Sequence, residues 1–328
     1  MHPVTSAAAG CAMQTDVASD PQHLANRVIK NRRTLDKWAR REGLDAYRVY
    51  DRDMPEFPLA IDRYGDWLHV QVFERRRPLA ETELDTIRDT LAATFDLPRA
   101  QVVLKHRRRQ RGASQYERFA DDAPSFTVAE RGLRFEVNLA RYLDTGLFLD
   151  HRDTRQMIRE RVAGKTFLNL FAYTGSFTTY AAAGGARRTV TVDMSHTYQA
   201  WSRRNLVHND LDDPRRHSFV QSDVLAFLAR MRASGARFDL IMLDPPSFSN
   251  SKRMHDTFDV QRDQLRLLGE TLALLAPDGE LLFSNNRQGF RLDPAITELA
   301  DVDEITRLTV PPDFRRHQPH RSWLLRRR

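Results

Sequence analysis

Three aspartates close short apolar runs in the second half of this chain. Asp193 ends "RTVTVD" (188–193), Asp223 ends "HSFVQSD" (217–223), and Asp244 follows "FDLIML" (238–243). An ionised carboxylate only accepts hydrogen bonds, so these positions suit a ligand that presents hydroxyl, amino or ring N–H groups. The third run continues as "IMLDPPSFSNSK" (241–252). Proline cannot carry a sheet ladder onward and donates no N–H. The turn therefore offers carbonyl acceptors beside Asp244 and a flat apolar face at Phe248. Asp244, Pro245, Pro246 and Phe248 are the candidate catalytic set, with the chemistry of gripping and orienting a polar planar group.

Such residues act together only if the strands carrying them lie side by side. "TFLNLF" (166–171), 188–193, 217–223, 238–243 and "GELLFSN" (279–285) alternate with helical patterns at 175–183, 197–208, 223–233 and 258–275. That alternation predicts an α/β fold, a mostly parallel sheet covered by helices on both faces, with ligands bound beyond the carboxyl ends of the strands. "EITRLTV" (304–310) and "SWLLRR" (322–327) have no helix between them and are expected to pair as an antiparallel hairpin at the sheet edge. The layout resembles that of class I methyltransferases, which are Rossmann-like. Before it, a helix over 23–43, strands at 47–51, 59–65, 67–73 and 101–107, a helix over 79–95 and a hairpin at 125–139 make a small α+β module. The expected division is a disordered tail at 1–22, the helix and α+β module at 23–140, and a catalytic domain at 141–328.

The first strand runs into "NLFAYTGSFTTYAAAGGA" (169–186), whose Gly175 sits at the strand-to-helix turn where a side chain would obstruct a ligand. A dinucleotide fingerprint needs three glycines there. One glycine suits a ligand without pyrophosphate, which favours S-adenosylmethionine (SAM) over NAD. Asp193, about 20 residues after the turn, either accepts from both ribose hydroxyls or caps the next helix. Asp223 either accepts from the adenine amino group, with Val224 against the ring, or is itself a cap. Asn169, Phe171, Tyr173, Thr174, Met194, Ser195, Asn209 and Asp244 complete the expected cofactor-binding set. The Asp-Pro-Pro-Ser-Phe turn resembles the D/N-P-P-aromatic motif of enzymes that methylate nitrogen in bases, where the aromatic stacks on a flipped base.

Hydrophobic residues make up 41% of the 328 residues, which excludes a disordered chain. No apolar run approaches the roughly 20 residues of a membrane helix, and the first 22 residues lack the pattern of a signal peptide. The formal charge of +7 suits a polyanion. "KHRRRQRGASQYER" (105–118) concentrates it: Lys105, Arg107, Arg109 and Arg111, with Tyr116 for stacking, are candidate RNA contacts. Lys252 and Arg253 in "SNSKRM" are either further phosphate contacts or a solvated loop. "SNNRQGFR" (284–291) is a weaker candidate for the same face. The single cysteine, Cys11, allows no intrachain disulfide and no cysteine metal site. No metal is expected, and a reducing cytoplasm fits.

Longer stretches carry a specific resemblance. "NRVIKNRRTLDKWARREGLDAYRVYDRDMPEFPLAIDRYGDW", "YLDTGLFLDHR", "FLNLFAYTGSFTTYAAAGGARRTVTVDMS", "DPPSFSNSKRM", "FDVQRDQ" and "FSNNRQGFR" are similar to the K half of the bacterial bifunctional 23S rRNA methyltransferase K/L family, over about residues 24–326. The resemblance implies SAM-dependent methylation of guanine N7, with 23S rRNA or a large-subunit precursor as partner. The family's other half, which methylates a guanine exocyclic amine, has no match in these residues. A related family shares the small module and makes 5-methylcytosine, but that reaction needs a cysteine nucleophile, and Cys11 lies in the tail. Guanine N7 bears a lone pair and no proton, so positioning is the main demand, with Asp244 as an orienting acceptor. In "YLDTGLFLDHR", Asp150 and Arg152 are expected near the first-strand turn. Arg152 there either meets the methionine carboxylate or serves in capping and salt bridging. The competing readings are an exocyclic-amine methyltransferase acting on adenine or guanine, and a catalytically silent ribosome assembly factor.

Overall fold

The computed structural model describes residues 20–74, 78–107, 125–142, 144–249 and 257–328; the side chain of Arg107 lies outside the description. Helix α1 (Pro21–Glu42) begins two residues before the expected start. The Asp20 carboxylate accepts from the Gln22 N–H at 2.9 Å, and Pro21 brings a ready-made helical φ. Gly43, at φ 65°, ends the helix. Strands β1 (Ala46–Asp51), β2 (Leu59–Tyr64) and β3 (Trp67–Phe73) form an antiparallel meander. Helix α2 (Glu81–Phe95) then crosses over so that β4 (Val102–Arg107) lies parallel to β3. Leu24 and Val28 of α1 and Leu84, Ile87 and Leu91 of α2 bury themselves against Leu59, Ile61, Leu68 and Val70 of this sheet.

The hairpin of β5 (Phe126–Glu130) and β6 (Leu133–Val137) turns through Arg131 and Gly132, both with positive φ, as a tight two-residue hairpin requires. It stands apart from the four-stranded sheet. Val128 and Phe135 share a buried cluster with Ala46 and Tyr64 on one side and with Tyr180, Val310 and Phe314 on the other, so the hairpin is packed between the two parts of the chain.

Helix α3 (Arg152–Arg161), which sequence periodicity did not reveal, leads into β7 (Thr166–Leu170), α4 (Ser176–Ala183), β8 (Arg188–Asp193), α5 (His196–Val207), β9 (His217–Gln221), α6 (Val224–Ala233) and β10 (Phe238–Leu243). A short pair, β11 (Phe248–Ser249) and β12 (Phe258–Asp259), precedes α7 (Val260–Leu272), β13 (Leu275–Asn285), α8 (Ile296–Leu299), β14 (Ala300–Glu304), α9 (Thr306–Thr309) and β15 (Arg321–Arg327). The sheet order is β14-β15-β13-β10-β7-β8-β9. The five from β13 to β9 run parallel, and β15 runs antiparallel to β13 and β14. This is the α/β fold of class I methyltransferases.

One edge element differs from expectation. The outermost strand is 300–304, and most of 304–310 turns as a short helix. The β-branched run "TRLTV" favours extended backbone, but threonine side-chain hydrogen bonds, one tertiary and one local, override it. Thr306 Oγ1 accepts from the Ser322 N–H at 3.0 Å, and Thr309 Oγ1 donates to the Thr306 carbonyl at 3.1 Å.

Candidate active site

The order of the sheet reverses between β7 and β10, the point where an open α/β sheet parts to form a crevice. The turn after β7 is bent hard. Phe171, Tyr173 and Gly175 have φ of 55°, 50° and 69°, and for two aromatic residues that backbone is strained. Neighbours hold it: Tyr173 N–H donates to Asp193 Oδ2 at 2.9 Å, and Ser202 Oγ donates to the Tyr173 carbonyl at 3.0 Å. Asn205 Nδ2 donates to the Thr174 carbonyl at 2.9 Å, and Thr174 Oγ1 donates to the Gly146 carbonyl at 2.6 Å. The Tyr173 hydroxyl accepts from the Gly146 N–H at 3.0 Å, and the Phe148 and Tyr198 rings lie 5.0 and 4.6 Å from the Tyr173 ring. Gly175 also has a packing reason: a Cβ there would stand 2.6 Å from the Ser202 Cβ, so the glycine admits α5.

Asp193 ends β8 with its carboxylate held by backbone donors: Oδ2 accepts from Tyr173, Oδ1 from Ser195 at 2.8 Å, and the Met194 N–H also contributes. Burial pushes this carboxyl up to about 6, against the backbone hydrogen bonds that pull it down. The cap of α5 is Ser195, whose Oγ accepts from the Tyr198 N–H, so Asp193 is not the capping residue. Asp223 is a cap: its Oδ1 accepts from the Ala226 N–H at 2.9 Å, while Val224 beside it is buried. The Met194 carbonyl accepts from Gln221 Nε2 at 3.2 Å.

Three residues expected to bind the cofactor are engaged elsewhere. Arg152 is fully buried: its Nη1 lies 2.8 and 3.0 Å from the Asp313 oxygens and its Nη2 donates to the Ala46 carbonyl at 2.8 Å. The salt-bridging alternative therefore holds, and the guanidinium is not free to meet a ligand carboxylate. Asn209 closes the backbone of Arg134, accepting from its N–H at 2.8 Å and donating to its carbonyl at 2.7 Å. Asn169, buried within β7, donates to Thr178 Oγ1 of α4 at 3.0 Å.

At the carboxyl end of β10, Ser284 Oγ donates to Asp244 Oδ1, and His151 Nε2 lies 3.5 Å from Oδ2. Ser247 Oγ donates to Asn286 Oδ1 at 2.7 Å, which ties the Asp-Pro-Pro-Ser turn to the "SNNR" turn. Pro245 is buried, Pro246 half-buried, and Phe248 is 48% exposed. Asp150 is close by, its Oδ2 accepting from His320 Nδ1 at 2.9 Å. The His320 and His151 rings stack at 4.1 Å and 11°. Burial first, then the His320 ring, depresses His151 to about 4, so it is neutral at physiological pH. Asp150, His151 and His320 crowd as metal ligands would. A metal lies in the plane of each imidazole it binds, however, and one ion cannot lie in the planes of two stacked rings.

Sequence reasoning named Asp150 and Asp244 but missed His151, His320 and Ser284. His151 lay unremarked inside "FLDHR", and Ser284 stands near the end of β13, at the start of a stretch ranked as a weaker candidate. On the RNA side, Lys105 is turned inward. Its Nζ donates to the Tyr142 carbonyl, and burial lowers the amine to about 8, with Asp144 opposing. Arg109, Arg111, Tyr116, Lys252 and Arg253, and the Arg107 side chain, lie outside the described residues.

Comparisons with known proteins agree with this architecture. Residues 52–324 match the S-adenosylmethionine-dependent methyltransferase family. The ribosomal RNA large subunit methyltransferase K of Neisseria meningitidis serogroup B is 47% identical over 312 residues, 94% of this chain and 88% of that protein. A solved structure from Streptococcus mutans, assigned as a SAM-dependent methyltransferase, superposes with a TM-score of 0.72 at 24% identity, covering 94% of this chain and 82% of that one. A SAM-dependent methyltransferase from Agrobacterium tumefaciens gives 0.59 at 18% identity, covering 86% and 89%. At those identities the two structures speak for the fold, whereas the family match and the Neisseria relative speak for kinship: the chain belongs to the S-adenosylmethionine-dependent methyltransferase family and, within it, to the family of that K-type relative.

Proposed function

We propose that this protein methylates N7 of a guanine in 23S rRNA, either free or within a large-subunit precursor. The observation that carries the reading is the Asp244 corner, an acceptor engaged at Oδ1 and faced by His151 at Oδ2, at the end of a central strand whose following turn carries the exposed ring of Phe248. Guanine presents N1–H and N2–H donors to such a carboxylate and a face to such a ring. Its N7 has no proton to lose, so the residues need only align it. The only cysteine is Cys11, so addition of a thiolate to cytosine has little support. The 47% identical relative is a large-subunit ribosomal RNA methyltransferase by name, which favours the same ribosomal subunit.

When bound, S-adenosylmethionine supplies an electrophilic methyl on a sulfonium. The residues present suit its polar parts. The Asp193 carboxylate takes backbone N–H groups from Tyr173, Ser195 and Met194, and its two oxygens with about four lone-pair sites keep acceptor capacity for ribose hydroxyls. Asp223 spends Oδ1 on its cap and keeps Oδ2 for an amino group, above the buried Val224. Pro245 and Pro246 shape the corner, and the arginine-rich segment after β4, with Lys252 and Arg253, takes RNA phosphates.

Labelled methyl transfer to unmodified 23S rRNA, followed by identification of the nucleoside, tests the reading. 7-Methylguanosine is expected, and Asp244→Ala should lower its yield. N2-Methylguanosine or N6-methyladenosine in its place would overturn it, as would cofactor binding with no transfer, the behaviour of a silent assembly factor.

A further inference from the structure

We propose that His151 is a positioning residue that fixes the orientation of the Asp244 carboxylate through an Nε2–H facing Oδ2, while Ser284 holds Oδ1. This rests on the role proposed for Asp244. The His151 side chain is almost wholly shielded from solvent. It is buried at the entry to α3, with its ring stacked on His320 at 4.1 Å and set edge-on to Phe177 at 5.6 Å. Its partner in the stack is itself immobilised, with Asp150 at Nδ1 (2.9 Å) and Thr309 at Nε2 (3.2 Å). The ring can therefore neither flip nor swing away without breaking a packed layer.

Its two nitrogens face different groups. Nδ1 lies 3.3 Å from Thr154 Oγ1, which can donate to it; Nε2 lies 3.5 Å from Asp244 Oδ2 and 3.9 Å from Asp150 Oδ2. In a neutral imidazole one nitrogen donates and the other accepts. Two carboxylates at Nε2 accept only, so the proton belongs there. The 3.5 Å separation is longer than a formed hydrogen bond, as is common before a substrate tightens a site. Burial first, then the His320 ring and Arg155, keep it uncharged against the Asp244 and Asp150 carboxylates, which favour the charged form. An uncharged donor is what this place requires. A cation at Nε2 would bind the carboxylate as an ion pair and compete with the base, whereas a neutral N–H orients one oxygen and leaves its charge for the substrate.

The test is a double-mutant cycle on methyl transfer, using wild type, His151→Phe, His151→Gln, Asp244→Asn and the Phe/Asn double variant. Loss of orientation should lower kcat of His151→Phe by about tenfold or more with KM for the cofactor little changed. Gln, which can present an N–H near the same place, should recover most of that rate. Adding His151→Phe to Asp244→Asn should cost nothing further, because both act through one carboxylate. Wild-type kcat in His151→Phe, or losses that multiply, would overturn the proposal. The identity of the methylated nucleoside is scored separately, so a product other than 7-methylguanosine would sink the proposed function while the cycle still reports on His151. Should no RNA be methylated, ¹⁵N spectra of the imidazoles in the free protein decide. A neutral Nε2–H tautomer whose shift responds to Asp244→Asn supports the proposal; an Nδ1–H tautomer, or no response, overturns it.

Discussion

Arg152 and Asp313 stand 161 residues apart in the chain, yet they meet at 2.8 Å with both side chains wholly excluded from water. Arg152 opens α3 and Asp313 follows α9. Arg152 also donates to the Ala46 carbonyl of β1, and Asp313 accepts from the Arg48 N–H at 2.9 Å. The pair therefore joins the start of the catalytic fold to the first strand of the preceding module.

Breaking one half should be costly. Asp313→Asn leaves the buried guanidinium with only Glu130, 3.5 Å from its Nε, as counter-charge and should lower unfolding free energy by about 3 kcal/mol. A double replacement by apolar residues of similar volume, Arg152→Met with Asp313→Leu, should recover much of the loss. Urea titration measures both. Equal instability in the single and double variants would contradict this account.

Cofactor affinity should depend on pH through Asp193. Its folded-state carboxyl lies near 6, above the usual carboxylate value, because it is buried without a cation. As pH falls through 6 the folded protein takes up a proton there, and an acceptor for hydroxyl donors becomes partly a donor. Binding should therefore weaken about tenfold from pH 7 to pH 5, and Asp193→Asn should bind weakly with that dependence removed. Calorimetry at both pH values reads the effect.

Gly175→Ala meets two obstacles, a positive φ and the Ser202 Cβ at 2.6 Å. A loss of about 1–3 kcal/mol is expected. Ser202→Gly in the same chain should restore only the steric share, because the backbone strain stays. Full rescue in a thermal melt would show that φ carries no cost here.

Phe248→Ala should leave cofactor binding intact and weaken RNA. Loss of one stacked base costs about 1–3 kcal/mol, so KM for RNA should rise roughly tenfold or more. Unchanged kinetics on 23S rRNA would remove the ring from the substrate face.

The parallel strands were legible because a strand buried on both faces reads as an unbroken apolar run, as in residues 240–243. The acids at their ends were legible as positions, whereas the helix-capping work of Asp223 and the backbone N–H groups held by Asp193 show only in the fold. Helix α3 escaped notice because its apolar positions are few. It buries Arg152, Thr154 and Arg155 alongside Ile158, and arginines satisfied by Asp313 and Glu130 look in sequence like solvent-exposed charge. His151 was invisible for a related reason: nothing in one dimension places residue 151 against residue 244. Arg152 and Asn209 were misread because their polarity is spent within the protein.

Helix α5 also does something for the β5–β6 hairpin. Trp201 Nε1 donates to the Glu136 carbonyl, Asn205 Oδ1 accepts from the Glu136 N–H, and Asn209 serves both backbone groups of Arg134. Side chains here stand in for a missing strand, so β6 presents no open ladder that a stray chain could join. The same Asn205 and the neighbouring Ser202 grip the carbonyls of Thr174 and Tyr173. One rod thus clasps the hairpin and the bent loop after β7 at once, and a tug on either should be felt by the other.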